Sequence, residues 1–405
     1  MSYKVAGIDV HKKVLMVVVV EVDQEIQRLE RKRFSTLSGD LEQLAGWLRE
    51  RGVEKAVMES TAQYWKPVWY ELEAHMKLVL AHAFSNRAPR GRKQDFKDAE
   101  RLVRRLLADE LRLSFVPDRE QRIWRMMTRM KVQLARDRGR LRNQLECLLE
   151  DMRIKLSSVI SDVLGVSGRR ILRALAEGTW SAEEMAHLGK ARLRCGQEQL
   201  LQALSGTVDR RQREMLNMYL ERLDMIDRQM AELNLKIAES MKPCQAAVMR
   251  LADVPGFGAD SAQQVIAEVG PRADMFASAA NLTAWAGTCP GRNESAEHNQ
   301  SSRSPKGNKY LRRVLTEVAQ AAVKTKGSHF QAEFRRLLPR LGYKQALWAL
   351  VNRICRLVWK ILHHEVGYIE YGPHPDPRRR QLRAKALLRS LRQLGYDVHI
   401  TASIA

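Results

Sequence analysis

Apolar residues fall in short unbroken blocks over the first hundred positions and at helical spacing over most of the remainder. Val5-Ala6-Gly7-Ile8 has the pattern of a buried strand closed by Asp9, and His11-Lys12-Lys13 leads into a second block, Val14 to Val20, so the pair predicts a hairpin. Lys55-Ala56-Val57-Met58 is another strand-like stretch, ending on Glu59 ahead of Tyr64-Trp65. Ala99, Leu102, Leu106 and Leu107 mark a helix whose start carries Asp95 and Asp98, and their i, i+3 spacing puts both acids on one helix face. Residues 1–108 are therefore expected to form an α/β unit.

After Phe115-Val116-Pro117 the pattern changes, and the chain from Arg119 to Met241 predicts long helices. Ile123, Met127, Met130, Leu134, Leu141, Leu145, Leu148 and Met152 recur at threes, fours and a seven. Leu216, Tyr219, Leu223, Ile226, Met230, Leu233 and Ile237 form a second, stricter heptad seam. Residues 109–242 are thus expected to pair as an antiparallel coiled-coil hairpin or to form an oligomerisation arm; heptads do not say which chain supplies the partner. The third part, 243–370, is expected to be mainly helical. It contains Val254-Pro255-Gly256-Phe257-Gly258, a helix-hairpin-helix pattern in which Gly256 and Gly258 let backbone N–H groups approach a phosphate. Residues 371–405 are a basic tail with Arg378, Arg379, Arg380, Arg383 and Lys385. The fold class expected is α/β plus α.

Charge narrows the partner. Lys and Arg number 69 against 47 Asp and Glu, a net charge of +22, which creates a field that attracts polyphosphate. The longest apolar run, Val14 to Val20, is far short of the ~20 residues a spanning helix needs, so no membrane partner is expected. The N-terminus lacks a secretory pattern and a cytoplasmic, nucleoid-associated location is expected. Five widely spread cysteines without a CxxC pair argue against a disulfide framework or a structural zinc site. Lys12, Lys13, Arg87, Arg90, Arg92 and Lys93 flank the acidic positions and suit a phosphate backbone. Lys306, Lys309, Arg312 and Arg313, at the start of a later helix, have the same chemistry.

Against that positive background, Asp9, Glu59, Asp95 and Asp98 stand where strands end or a helix begins. Four convergent carboxylates repel unless a hard cation such as Mg²⁺ or Mn²⁺ lies between them. Strand-end acids followed by an acidic pair at a helix start is how RNase H-like nucleases and integrases build two-metal sites for phosphodiester attack. A long polar loop from Ala286 to Lys309 holds Ser295, Ser301, Ser302 and Ser304, and residue chemistry alone does not choose a nucleophile among them.

Several segments carry a resemblance. Gly7-Ile8-Asp9-Val10-His11-Lys12-Lys13, Met58-Glu59-Ser60-Thr61 with Tyr64-Trp65-Lys66-Pro67-Val68-Trp69, Gly91 to Glu100, and Ser114-Phe115-Val116-Pro117 resemble the N-terminal domain of the insertion-sequence "one-ten" family. These are DEDD-type transposases related to the Piv invertases. Pro290-Gly291-Arg292-Asn293-Glu294-Ser295-Ala296 with Lys306-Gly307-Asn308 and Leu311-Arg312 is similar to the second family signature. The resemblance implies a recombinase with a RuvC/RNase H-like metal domain and a nucleophilic serine that falls, by motif position, on Ser295. It also implies a structured non-coding (bridge) RNA as guide, donor and target DNA duplexes as substrates, and a dimer or tetramer in which the serine of one protomer works with the acids of another. Ala296-Glu297-His298-Asn299 departs from the family's commonest pattern after the serine. Two other classes compete: a junction-resolving hydrolytic endonuclease that uses the acids and water, and a non-enzymatic nucleic-acid scaffold.

Overall fold

The computed structural model describes residues 3–22, 26–60, 62–82, 96–189, 195–291, 293–295, 298–301, 304–373 and 377–394. They form two compact units, residues 1–117 and 118–405.

The first unit contains β1 (Tyr3–Val10), β2 (Val14–Val22), β3 (Ile26–Ser35), α1 (Ser38–Glu50), β4 (Val53–Glu59), α2 (Trp65–Leu72), β5 (Lys77–Ala81), α3 (Lys97–Leu107) and β6 (Leu113–Ser114). The sheet order is β3-β2-β1-β4-β5-β6. β2 runs antiparallel to both β1 and β3, β4 and β5 run parallel to β1, and β6 closes the edge antiparallel to β5. The predicted hairpin is present: the His11 amide donates to the Val14 carbonyl at 3.0 Å, and Ile8 faces Val17 across it.

Strand alternation sorts the side chains into two layers. Ala6, Ile8 and Val10 pack with Ala56 and Met58 beneath α1 and α2. Val5 and Val57 face the other way, against Ala99, Leu102 and Val103 of α3. Gly7 lies on that second face. A Cβ there would run into the Ala99 carbonyl and the Val103 side chain, so only glycine admits α3 so close to β1.

The second unit begins with α4 (Arg119–Asp151), followed by four short helices, α5 (Leu156–Val159), α6 (Val166–Glu177), α7 (Ala182–His187) and α8 (Gln197–Ala203), and then α9 (Arg210–Ser240). α4 and α9 pack side by side in opposite directions: Trp124 Nε1 donates to Ser240 Oγ at 2.9 Å, and Arg138 pairs with Asp227 at 2.8 Å. Next come α10 (Gln245–Ala252), α11 (Ala259–Val269), α12 (Ala279–Ala286), the hairpin β7 (Asn293–Ser295) and β8 (His298–Ser301), α13 (Lys309–Ala322), α14 (His329–His363, interrupted at Gly342) and α15 (Pro377–Gln393). Leu141, Leu145, Leu148 and Met152 share a core with α6 and with Leu216, Leu223 and Ile226 of α9. Leu233 and Ile237 belong instead to a second core built by α10 to α14. None of the described helices is long and apolar enough to cross a membrane.

The first half of the α4 seam is not where periodicity places it. Ile123 and Met130 are 40% and 52% exposed, while Gln121, Trp124 and Thr128 are buried. The cause is polar and long-range. Gln121 Nε2 and Arg125 Nε each donate to the Ala267 carbonyl at 3.1 Å, and Arg129 donates through Nε and Nη2 to both carboxylate oxygens of Glu268, at 2.7 and 2.8 Å. α4 is rotated to present these groups to α11, a face that counting apolar residues does not identify. Glu268 itself is 2% exposed. Burying an acid at that depth requires such partners.

Candidate active site

Asp9 is the penultimate residue of β1 and Glu59 the last of β4. The final register pair of these parallel strands is Ile8 with Met58, so the two acids follow side by side at the same end of the sheet. Both alternate onto the face covered by α3, because Gly7 and Val57 do. Asp98 lies in the first turn of α3, the helix that Gly7 admits. Strand period, parallel register and a single glycine therefore bring three of the four predicted acids to one place. Asp95 lies outside the described residues, as do Arg87, Arg90, Arg92 and Lys93.

Electrostatics record this convergence. The Asp9 carboxyl is pushed above the usual carboxylate range first by burial; the His11 charge opposes the shift, and the charges of Asp98 and Glu59 add to it. The Asp9 side chain is only 14% exposed, and its Oδ2 lies 3.0 Å from His11 Nε2. Asp98 accepts from Arg101 Nη2 at 2.7 Å. His11 is a partner for Asp9 that apolar patterning does not reveal. Its position two residues beyond the acid, in the hairpin turn, was the available signal.

These carboxylates supply the hard oxygen donors that Mg²⁺ and Mn²⁺ prefer, and their mutual repulsion is what a divalent cation relieves. The chemistry of the donor set fits such an ion. Among the described residues, however, no three His, Cys, Asp or Glu side chains group closely enough to hold one by themselves.

Ser295 belongs to the second unit. It is the last residue of β7, paired across the hairpin with His298, so it stands at the hairpin's closed end. Below it the chain narrows to a stalk. Gly287 ends α12 with a left-handed φ of 71°, and a Cβ there would sit 2.6 Å from the Gly307 amide nitrogen and the Pro305 carbonyl. Gly307 in turn admits no Cβ against the Ala286 carbonyl. The two ends of the 288–306 excursion thus meet backbone to backbone, which glycine alone allows.

α14 and α13 grip both sides of this stalk. Asn352 Nδ2 donates to the Thr288 carbonyl at 3.3 Å, and Trp348 Nε1 donates to Ser304 Oγ at 2.8 Å. Arg312 stacks over Trp348 at 4.7 Å and donates to the Pro305 carbonyl at 2.6 Å. Arg313 pairs with Glu317 at 3.0 Å. Lys306 and Lys309 are exposed, as are Lys12 and Lys13 at the β1–β2 turn. In the α10–α11 turn the two glycines differ. A Cβ on Gly256 would strike the Val318 carbonyl and Ala322 of α13, whereas Gly258 faces open space.

Two family models match this chain. Residues 6–154 match the DEDD-type IS110 transposase model, and residues 248–335 match the model described as "Transposase IS116/IS110/IS902 family". Together they take in more than half of the 405 residues, and the chain belongs to this family of insertion-sequence transposases, enzymes that cleave and rejoin DNA. The strand order and directions of the first unit agree with the RNase H-like fold that a DEDD domain implies. The chain is also similar to a "Probable family 20 transposase" of Pseudomonas aeruginosa (strain PAO1), 26% identical over 312 residues, which are 76% of this chain and 83% of that relative.

Proposed function

We propose that this transposase breaks and reseals DNA through Ser295, with Asp9, Glu59, Asp95 and Asp98 as the ligands of Mg²⁺ or Mn²⁺, under the direction of a structured non-coding RNA. The observation that carries the metal half is the placement of Asp9, Glu59 and Asp98 on the α3 face of one sheet end, at a charge cost visible in Asp9. When bound, the ion supplies Lewis-acid polarisation of the scissile phosphate. Ser295 Oγ gives up its proton and forms a bond to phosphorus as a DNA oxygen departs and takes up a proton; a DNA hydroxyl later reverses the exchange, so the phosphodiester is conserved without ATP. The position of Ser295 at the closed end of a stalked hairpin supports this role.

Phosphate backbone is bound by Lys12, Lys13, Lys306 and Lys309, which are exposed, and by Arg87, Arg90, Arg92 and Lys93. Gly258, open to its surroundings, is the half of the helix-hairpin-helix that meets phosphate; Gly256 is there for packing. Arg312 acts by holding the stalk, and Arg313 belongs to the same basic helix start. The α4–α9 pair is the coiled coil, and the working particle is a dimer or tetramer on two DNA duplexes.

A covalent protein–DNA adduct, trapped by denaturing the reaction, tests the central claim. Wild type and Ser295→Cys are expected to yield it, and Ser295→Ala and chelated protein are not. Cleavage that persists in Ser295→Ala would identify a hydrolytic, junction-resolving endonuclease instead. Sequencing of small RNAs that co-purify with the protein tests the guide: a discrete structured species mapping beside the gene is expected.

A further inference from the structure

Resting on the reading of Ser295 as nucleophile, we propose that Glu268 is a positioning residue for the serine hairpin, acting through Asn308. Glu268 lies in α11, far in sequence from any serine of the loop, and its carboxylate is almost wholly enclosed. One of its oxygens, Oε2, accepts from Arg129 Nη2 at 2.8 Å and also from Asn308 Nδ2 at 2.7 Å. Asn308 is the residue that follows the stalk glycine Gly307. Its other side-chain atom, Oδ1, accepts from the Tyr310 and Leu311 amides at 2.9 and 3.1 Å and so caps α13.

One amide side chain therefore ties the exit of the serine loop to two things, the helix that follows and a buried acid in the core. The acid is itself held. Arg129 grips both its oxygens from α4 and stacks over the Tyr310 ring at 4.5 Å, and Arg125 reaches the Glu268 backbone carbonyl. Because Gly287 and Gly307 touch, fixing position 308 fixes both limbs of the stalk. A nucleophile must sit within a fraction of an ångström of its in-line position, and distant misplacement of ~1 Å can cost about a hundredfold in rate. Glu268 is the anchor against which that position is set.

The contact can be removed without removing the cap. Serine caps helices as well as asparagine does, but its hydroxyl is too short to reach Glu268, so Asn308→Ser keeps the cap and loses the tie. Asn308→Asp also caps, yet turns the tie into a repulsion. Adding Glu268→Gln to Asn308→Asp restores a hydrogen bond at position 308 with donor and acceptor exchanged and the net charge of the wild type, at the loss of the Arg129 Nη2 contact to that atom. In full-length protein, Asn308→Ser and Asn308→Asp are expected to slow strand cleavage about tenfold to a hundredfold, with DNA affinity within about twofold. Asn308→Asp should be the slower of the two, and the double variant should regain part of the loss. Amide hydrogen exchange of peptides spanning 288–307, which does not depend on the chemistry, should quicken in both single variants and recover in the double.

Wild-type exchange and wild-type cleavage in Asn308→Asp would overturn the proposal, as would a double variant no better than the single. Ser295→Ala, run in parallel, separates this from the nucleophile assignment. If Ser295→Ala still cleaves while the Asn308 variants loosen the loop, the serine reading is wrong and the anchor stands. If Ser295→Ala is inactive and the Asn308 variants are indistinguishable from wild type, the anchor is wrong and the serine stands.

Discussion

Asp9 and Glu268 are both buried or nearly so, and they are opposite solutions to the same physical problem. Asp9 is pushed upward in proton affinity first by its burial and further by the nearby acids Asp98 and Glu59, against the pull of His11. Glu268 is met by two arginines and an asparagine. Left to itself the first arrangement costs stability; the second returns the desolvation penalty through charge-assisted hydrogen bonds. In the functions proposed above, the first arrangement suits an acid that awaits a bound cation and the second an acid that holds its neighbours in place.

The largest effect that can break this contrast is catalytic. Asp9→Asn is expected to lower strand cleavage by about a thousandfold or more, as removal of a group central to the chemistry does, without lowering the melting temperature of metal-free protein. A fall of several degrees would mean that Asp9 is structural after all. Glu268→Ala should do the reverse to stability: it leaves the partly buried Arg125 and Arg129 without their carboxylate, at a cost of about 3 kcal/mol, read from the denaturant midpoint of the second unit. A loss below ~1 kcal/mol would show that the arginines find other partners and that the acid is no anchor.

Ligand binding sharpens the comparison further. Mn²⁺ at about a hundred times its dissociation constant should stabilise wild type by about 2.7 kcal/mol through mass action, and Asp9→Asn by little or nothing, as followed by calorimetry. Glu268→Gln should retain the full increment, since it leaves the Asp9 region untouched. The smallest effect concerns Asp40, a partly exposed acid with ordinary helix-start duties. Its carboxylate accepts from the Ser35 hydroxyl and backbone amide, and these hydrogen bonds hold it below the usual range. A depressed carboxylate contributes stability that is present above its unfolded value of 3.8 and lost as pH falls through the folded value. Asp40→Asn should therefore flatten the acid limb of first-unit unfolding, whereas Asp9→Asn, removing a raised group, should change that limb in the opposite sense.

The same contrast explains what could be read from the chain. The strands carrying Asp9 and Glu59 at their ends, the hairpin between them and the acidic start of α3 were legible because burial on a sheet leaves short apolar blocks with a charge at or next to the terminus. The far half of the α4 seam and most of the α9 seam were legible for the same reason. The near half of α4 was not. There the packing surface is polar, and Arg125 and Arg129 look like any exposed i, i+4 pair until α11 is brought against them. Glu268 was hidden in plain view inside Val265-Ile266-Ala267-Glu268-Val269, where an acid between apolar neighbours on a helix is the one available hint. Asn308 stands inside the Lys306-Gly307-Asn308 motif, but nothing in the sequence links its side chain to Glu268, forty residues away.

Gly7 has a last implication. Because α3 rests on β1 at that residue, the distance from Asp98 to Asp9 is governed by a side chain that consists of a single hydrogen. A methyl group there would lever the helix outward and widen the span between carboxylates. If the acids hold a cation as proposed, the ionic radius they accept is set by the sheet two residues ahead of Asp9.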